Sequence, residues 1–367
     1  MITSHTDVIG SLLRPPELLQ AREDLAAGRI SPSSFRDIED RAVDAAIKLQ
    51  EEVGLDVVTD GELRRLSFQS QMTDAVEGFA EHDIDVFLWG KWHSQELGDW
   101  SVDRPATIGV VSKLKRRRHL STDEFTYLRD RTTRIPKVTL PSPTLFTNFW
   151  SEQSAQAYSS MDAFLEDVVK ILHEEVVELV RLGATYIQLD APHYTQLLDP
   201  RTRPFYEERG GGLENWIARG VELENAVIGD FADVTFGFHL CRGNQNSRWL
   251  SEGDYEPIAK QLFGSIQAQR LLLEYDDERS GSFAALRHVP DDKMVVLGLV
   301  NTKLPTREEQ KVLLARIREA SEFVPAERLA ISPQCGFSTS IVGNRISVDD
   351  QKSKLRLVVD TATSFWG

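Results

Sequence analysis

The sequence predicts an α/β fold, a (β/α)8 TIM barrel forming one domain over residues 1–367, with a β-hairpin inserted at about 79–114. Three observations carry this expectation. Strand-like apolar runs begin near residues 7, 55, 137, 185, 234, 271, 294 and 329, with helical spacing between them, which is the alternation of a parallel barrel. No Gly-x-Gly-x-x-Gly follows an early strand, no Walker-type phosphate loop occurs, and Gly210-Gly-Gly212 sits in a loop, so the doubly wound alternative lacks its signature. No internal repeat or linker divides the chain, and 41% hydrophobic residues are enough for a large core.

The first unit is Asp7-Val-Ile-Gly-Ser-Leu-Leu-Arg-Pro-Pro16, a short apolar strand that breaks at Gly10-Ser11 and is ended by the prolines. From Phe35 onward Ile38, Ala42, Ala45, Leu49 and Val53 fall three or four apart, one helical stripe that Gly54 stops. A strand at 55–65 then ends in a glycine turn carrying Asp60, Glu62 and Arg64. Between Phe79 and Leu114, Phe87, Trp89, Trp92 and Trp100 stand among turn residues, and Pro105 precedes an alternating run at 106–111, the pattern of a hairpin. Alternation resumes with a strand at 137–143, a helix at 161–182 ended by Gly183, a strand at 185–192 and helices from about Glu214. A strand at 234–241, a helix at 255–270 and strands at 271–276 and 294–301 follow. Thr306-Arg-Glu-Glu309 has the form of a capping box opening the next helix, a last strand at 329–332 runs into Pro333-Gln-Cys-Gly336, and a helix from about Val348 completes the chain.

Composition excludes several function classes. A net charge of −15 leaves no basic footprint for a sequence-independent grip on nucleic acid. The first seven residues have neither a basic n-region nor an apolar h-region, and nowhere do 18 apolar residues run together, so a cytoplasmic enzyme without membrane contact is expected. The one basic run, Lys113-Leu-Lys-Arg-Arg-Arg-His119, reads as a solvated face before an anion site. The two cysteines, Cys241 and Cys335, are too few for a disulfide scaffold and are expected to be free thiols. Assembly into a homo-oligomer is compatible with the sequence.

Barrel enzymes gather their functional groups at the C-terminal ends of the strands. Here those positions hold Ser11, Glu62, Asp190, His239, Cys241, Glu274, Asn301 and Cys335. His239 and Cys241 are two apart and share a strand face. A lone cysteine is ordinarily a small buried hydrophobe, but both cysteines of the chain fall on this ring together with a histidine. Thiolate, thiolate, imidazole and carboxylate make a complete tetrahedral set for Zn²⁺, so His239, Cys241, Glu274 and Cys335 are the candidate ligands. Glu274 and Asp276 share a face, and pattern alone leaves the carboxylate open between them.

Taken in order, Val8-Ile-Gly-Ser11, Thr59-Asp-Gly-Glu62, Ile187-Gln-Leu-Asp190, His239-Leu-Cys241 and Ser332-Pro-Gln-Cys-Gly336 resemble the cobalamin-independent methionine synthase family across nearly the whole chain. The resemblance is to its catalytic type of barrel. It implies zinc held by His239, Cys241, Glu274 and Cys335, which favours Glu274 over Asp276. It further implies that the backbone at Gly10 and Ser11 and the carboxylates Glu62 and Asp190 hold the amino acid part of homocysteine. An aromatic stacked on a flat donor would correspond to Phe149 or Trp150. Three departures concern the folate half. Asn301 stands where the family has a histidine proposed to protonate the departing folate, Ala191-Pro192 replaces Glu-Pro, and the chain has no room for a second, N-terminal barrel.

The chemistry expected of such a site follows from the metal. A thiol of pKa about 8.5 is mostly protonated at neutral pH, whereas one on Zn²⁺ loses its proton. The expected reaction is alkyl transfer, most simply methyl transfer from a donor to homocysteine, by single displacement on a zinc-bound thiolate. His239, Cys241 and Cys335 would stay on the metal, and Glu274 would give way to the substrate sulfur. The expected partners are a small-molecule thiol and an alkyl donor such as a methylcorrinoid or corrinoid protein. Two further readings stay open. One resembles the epoxyalkane:coenzyme M transferases, where a sulfonate would call on the basic run at 113–118, although Glu62 and Asp190 suit an ammonium better. The other is a non-catalytic zinc-stabilised protein, whose site would be closed by four ligands.

Overall fold

Seven parallel strands curl into the wall of a barrel in the computed structural model, which describes residues 1–81, 89–104 and 108–367. In chain order the strands are β1 (Val57–Val58), β2 (Val76–Phe79), β3 (Gly90–Trp92), β4 (Trp100–Val102), β5 (Val110–Arg116), β6 (Ile135–Pro141), β7 (Tyr186–Asp190), β8 (Thr235–Leu240), β9 (Arg270–Glu274), β10 (Met294–Val300) and β11 (Leu329–Pro333). The wall runs β1-β6-β7-β8-β9-β10-β11. Apart from the partly exposed Ile135 and Pro136 that open β6, these strands are buried along their length, the near-continuous apolar reading expected of a parallel sheet covered by helices.

The eighth position is filled by the N-terminal residues without a regular strand. Thr6 forms a single parallel bridge with Ile331, Asp7 N donates to Ile331 O at 3.0 Å, and Ile331 N to His5 O at 2.9 Å. On the other side Thr59 Oγ1 donates to Gly10 O at 2.7 Å and Leu12 N to Gly61 O at 2.9 Å. The strand expected from residue 7 is thus reduced to one bridge, because side chains and turns take the place of a ladder. The prolines that end it open a helix, Pro16–Ala26, with Pro16 in the first turn where its missing N–H costs nothing.

Helices coat the wall where their apolar stripes predict. Pro32–Val53 starts on Ser31, whose Oγ accepts from Ser34 N at 3.1 Å, and ends at Gly54 in the left-handed region (φ 93°). Met161–Arg181 buries Phe164, Leu165, Val168, Leu172, Val176 and Leu179, each worth about 1.5–3 kcal/mol relative to exposure. Val348–Trp366 carries a full capping box from Ser347 and Asp350 and packs against Pro32–Val53. The capping box expected at Thr306 does not form. That helix begins at Gln310, because Glu308 Oε1 is drawn to Asn301 N (2.7 Å) and Thr306 O accepts from Lys354 Nζ (2.5 Å).

The insertion is two nested antiparallel ribbons rather than one hairpin: β2 pairs with β5, and β3 with β4. Phe87 and residues 105–107 of the expected hairpin lie outside the described residues. The basic run on β5 faces helix Met161–Arg181. Lys113 lies 3.8 Å from Asp167, Arg116 3.0 Å from Glu174 and His119 2.9 Å from Glu175. It is a surface strip balanced by carboxylates.

The barrel interior carries a polar column that the sequence did not announce. Asp7 receives Lys137 Nζ at 2.9 Å, Tyr186 OH at 2.7 Å and Arg270 Nη2 at 3.1 Å. Lys137 passes on to Gln188 Oε1 (2.8 Å), and Gln188 Nε2 to Asp190 Oδ1 (2.7 Å). The Lys137 and Arg270 charges hold the Asp7 carboxyl below its ordinary range against the opposing effect of burial.

Candidate metal centre and substrate cleft

A cleft of roughly 1060 Å³, counted out to solvent, opens at the C-terminal mouth of the barrel. Ser11, Glu62, Asp190, His239, Cys241 and Cys335 all line it. Strand register explains the convergence. Asp190 pairs level with His239, and Leu240 with Leu273, so the residues that follow, Cys241 and Glu274, leave their strands side by side.

The ligand atoms of His239, Cys241 and Cys335 lie within 4.8 Å of one another, and all three residues are buried. His239 Nδ1 is 3.2 Å from Leu272 O, which leaves Nε2 buried and without a hydrogen-bond partner among the described residues. An imidazole whose far nitrogen is fixed by a carbonyl is the ordinary arrangement of a metal-ligating histidine. The Cys335 thiol, helped by His239, holds Cys241 well below the usual thiol range against burial. Cys335 is pushed well above that range by Cys241 and by burial. A buried thiol biased towards thiolate, a second buried thiol and a buried imidazole nitrogen are a donor set that fits Zn²⁺.

Glu274 is buried, but its carboxylate stands outside that group of three. Oε2 accepts from Arg242 N at 2.7 Å, while Oε1 lies 3.1 Å from Arg279 Nη2 and 3.5 Å from Lys303 Nζ. Asp276, the other carboxylate on that face, is taken by Arg279 (3.1 Å) and Asn301 Nδ2 (2.6 Å).

Glu62 is held with unusual care. Its backbone is left-handed (φ 54°), a strained state for a side chain of this size. Asp60 Oδ1 accepts Glu62 N at 2.9 Å, and Thr139 Oγ1 donates to Glu62 Oε1 at 2.7 Å. Oε2 is buried with no hydrogen-bond partner among the described residues. A Cβ on Gly10 would come within 2.3 Å of Oε1, so any other residue there would push the carboxylate from its place. Asp190 is pushed up to about 7, chiefly by burial, with His239 opposing and Glu62 adding.

Other expected residues divide. Phe149 is buried and lines the cleft with Trp89, Trp92 and Phe68, whereas Trp150 stacks on Phe164 behind it and does not line the cleft. Asn301 is turned away. Its Oδ1 accepts Lys303 N (2.7 Å) and Leu304 N (2.9 Å) and its Nδ2 donates to Asp276, so it shapes the turn after β10 and takes no place in the cleft. None of residues 113–118 lines the cleft, which removes the cation that a sulfonate would have called on.

Three supporting residues escaped the sequence reading. Arg14 is buried and donates to Glu62 O (2.9 Å), Arg65 O (2.7 Å), Ser338 O (2.9 Å) and Ser340 O (3.1 Å), tying the Glu62 turn to the loop after Cys335. Arg65 joins Glu124 (2.7 Å) to Thr139, the same residue that holds Glu62. Gln188 orients Asp190. No periodicity marks a buried arginine; the only signal was that Arg14 and Arg65 stand next to the two glycine turns.

Fold and site together define a TIM-type α/β barrel with an imidazole, two thiols and two carboxylates converging in its C-terminal mouth. Residues 4–364 match the family model described as "Cobalamin-independent synthase, Catalytic domain", and the chain belongs to that family. It is 31% identical over 99% of its length to the uncharacterized protein YxjH of Bacillus subtilis, covering 94% of that protein. It is 27% identical over 90% of its length to the methionine synthase of Thermococcus kodakarensis, covering 86% of it. Among solved structures, a putative vitamin-B12 independent methionine synthase from Listeria monocytogenes superposes with a TM-score of 0.75 at 27% identity, over 99% of this chain and 98% of that one. The family's description as cobalamin-independent gives a methylcorrinoid donor no support.

Proposed function

We propose that the protein transfers a methyl group to the thiol of homocysteine, with Zn²⁺ held by His239, Cys241, Cys335 and Glu274. The observation that carries this is the buried cluster of His239 Nε2 and the two thiols on the floor of a cleft that Glu62 and Asp190 also line. Zinc there would keep a substrate sulfur as the thiolate at neutral pH, and so as a nucleophile. The chain's own residues supply the rest. The free Oε2 of Glu62, with Asp190, suits the ammonium of an amino acid, and Ser11 lines the same end of the cleft. Burial at the floor excludes water from the reacting sulfur, while Phe149, Trp89 and Trp92 give the outer cleft an apolar wall suited to the donor.

The test has two parts. Purified protein should contain about one zinc, and Cys241→Ser and Cys335→Ser should each lose both metal and methyl transfer to homocysteine; normal metal content in both variants would sink the assignment. Zinc-edge absorption should show sulfur replacing a lighter neighbour when homocysteine is added, and no such change with coenzyme M. The reverse result would make a sulfonate thiol the acceptor.

A further inference from the structure

Glu274 has two places to be. It leaves its strand beside Cys241, yet its carboxylate rests in a cationic cradle built from the Arg242 N–H, Arg279 and Lys303. The two cations are not equivalent. Arg279 is shared with Asp276 at 3.1 Å and Asp277 at 2.9 Å. Lys303 is 3% exposed, its Nζ makes no hydrogen bond, and its only ion pair among the described residues is the 3.5 Å contact with Glu274. A buried ammonium with a single loose partner is costly unless a charge comes to it. Its backbone is fixed, since Asn301 Oδ1 accepts Lys303 N at 2.7 Å and Gln334 Oε1 accepts Thr302 N at 2.6 Å.

We infer that Lys303 is a positioning residue that provides the second seat of Glu274, the place the carboxylate occupies once a substrate sulfur has displaced it. The inference rests on the zinc site and the homocysteine acceptor proposed above. A carboxylate released inside a barrel without a counter-charge would go unsolvated, which opposes exchange. Lys303 removes that obstacle because, unlike Arg279, which divides its charge among Glu274 and the two aspartates, it pairs with Glu274 alone among the described residues. The exchange itself breaks one carboxylate contact and forms one sulfur contact, the thiol proton passing to solvent.

The experiment compares zinc-loaded wild type, Lys303→Met and Lys303→Arg, with zinc affinity measured by chelator competition, homocysteine affinity by calorimetry and zinc neighbours by edge absorption. Lys303→Met should hold zinc at least as tightly as wild type, bind homocysteine at least ten-fold more weakly, and keep its light-atom neighbour under homocysteine that converts wild type. Lys303→Arg should restore the exchange. A zinc-loaded Lys303→Met that exchanges at wild-type homocysteine concentrations would overturn the inference. So would loss of zinc from Lys303→Met, because Lys303 would then support the ligand set. If Lys303→Met does not fold, Lys303→Gln carries the same outcomes. Wild type is measured first: without zinc, or without sulfur exchange, it is the proposed function that fails, and the inference with it.

Discussion

Glu62 Oε1 occupies the space that a Cβ on Gly10 would need, the two positions being only 2.3 Å apart. A glycine in the first strand unit and a carboxylate in the second are therefore one device. Gly10→Ala is expected to displace Glu62 from Thr139 while leaving the thiols untouched. Homocysteine affinity should fall by one to two orders of magnitude with zinc content unchanged; unaltered affinity by calorimetry would show that Glu62 does not hold the substrate.

Asn301 acts on its own turn. Asn301→Ala removes the acceptor of two backbone N–H groups and the donor to Asp276, which should cost about 1–3 kcal/mol in denaturant unfolding. Asn301→His should not confer proton delivery to a donor, since the position points away from the cleft. A gain in transfer with a folate donor in that variant would contradict this.

Glu224 lies in a buried group where Ser142 Oγ, Thr144 Oγ1 and Tyr194 OH all donate to Oε1. Burial pushes its carboxyl from 4.5 up to about 7, opposed by the bonds from Ser142 and Thr144. A raised folded pKa means stability that is full below the unfolded value and lost as pH rises through the folded one. Relative to wild type, Glu224→Gln should therefore gain stability between about pH 4.5 and 7, by up to about 3 kcal/mol. Parallel pH profiles for the two proteins would refute it.

Metal removal should destabilise the barrel mouth, because His239 and Cys241 at the end of β8 and Cys335 after β11 would lose the ion that ties them together, leaving hydrogen bonds such as Asn244 Nδ2 to Gly336 O to join the two segments. At zinc a hundred times its Kd the stabilisation is about 2.7 kcal/mol. Calorimetry should show a lower Tm after chelation, restored by zinc and not by magnesium. Identical melting with and without zinc would speak against a metal at these residues.

Strand order and helix stripes were legible because a parallel barrel buries its strands on both faces and its helices on one, and Gly54, Gly183 and Ser347 mark ends that propensity alone would blur. The cluster of His239, Cys241 and Cys335 was legible for a similar reason, since strand ends converge whatever the loops do. Directions at those ends were not. Asn301 and Trp150 sit at expected positions but point elsewhere, a choice made by Asp276 and Phe164 far along the chain. The capping box read at Thr306 and Glu309 does not form, since Thr306 O is taken by Lys354 Nζ and the helix begins only at Gln310. Lys137 and Arg270 left no trace, as a buried cation is defined by partners on other elements.

The column from Arg270 through Asp7, Lys137 and Gln188 to Asp190 makes the floor of this barrel answerable to its mouth. Drift at the far end, in residues remote from the cleft, becomes a tuning knob for the Asp190 carboxyl at the mouth.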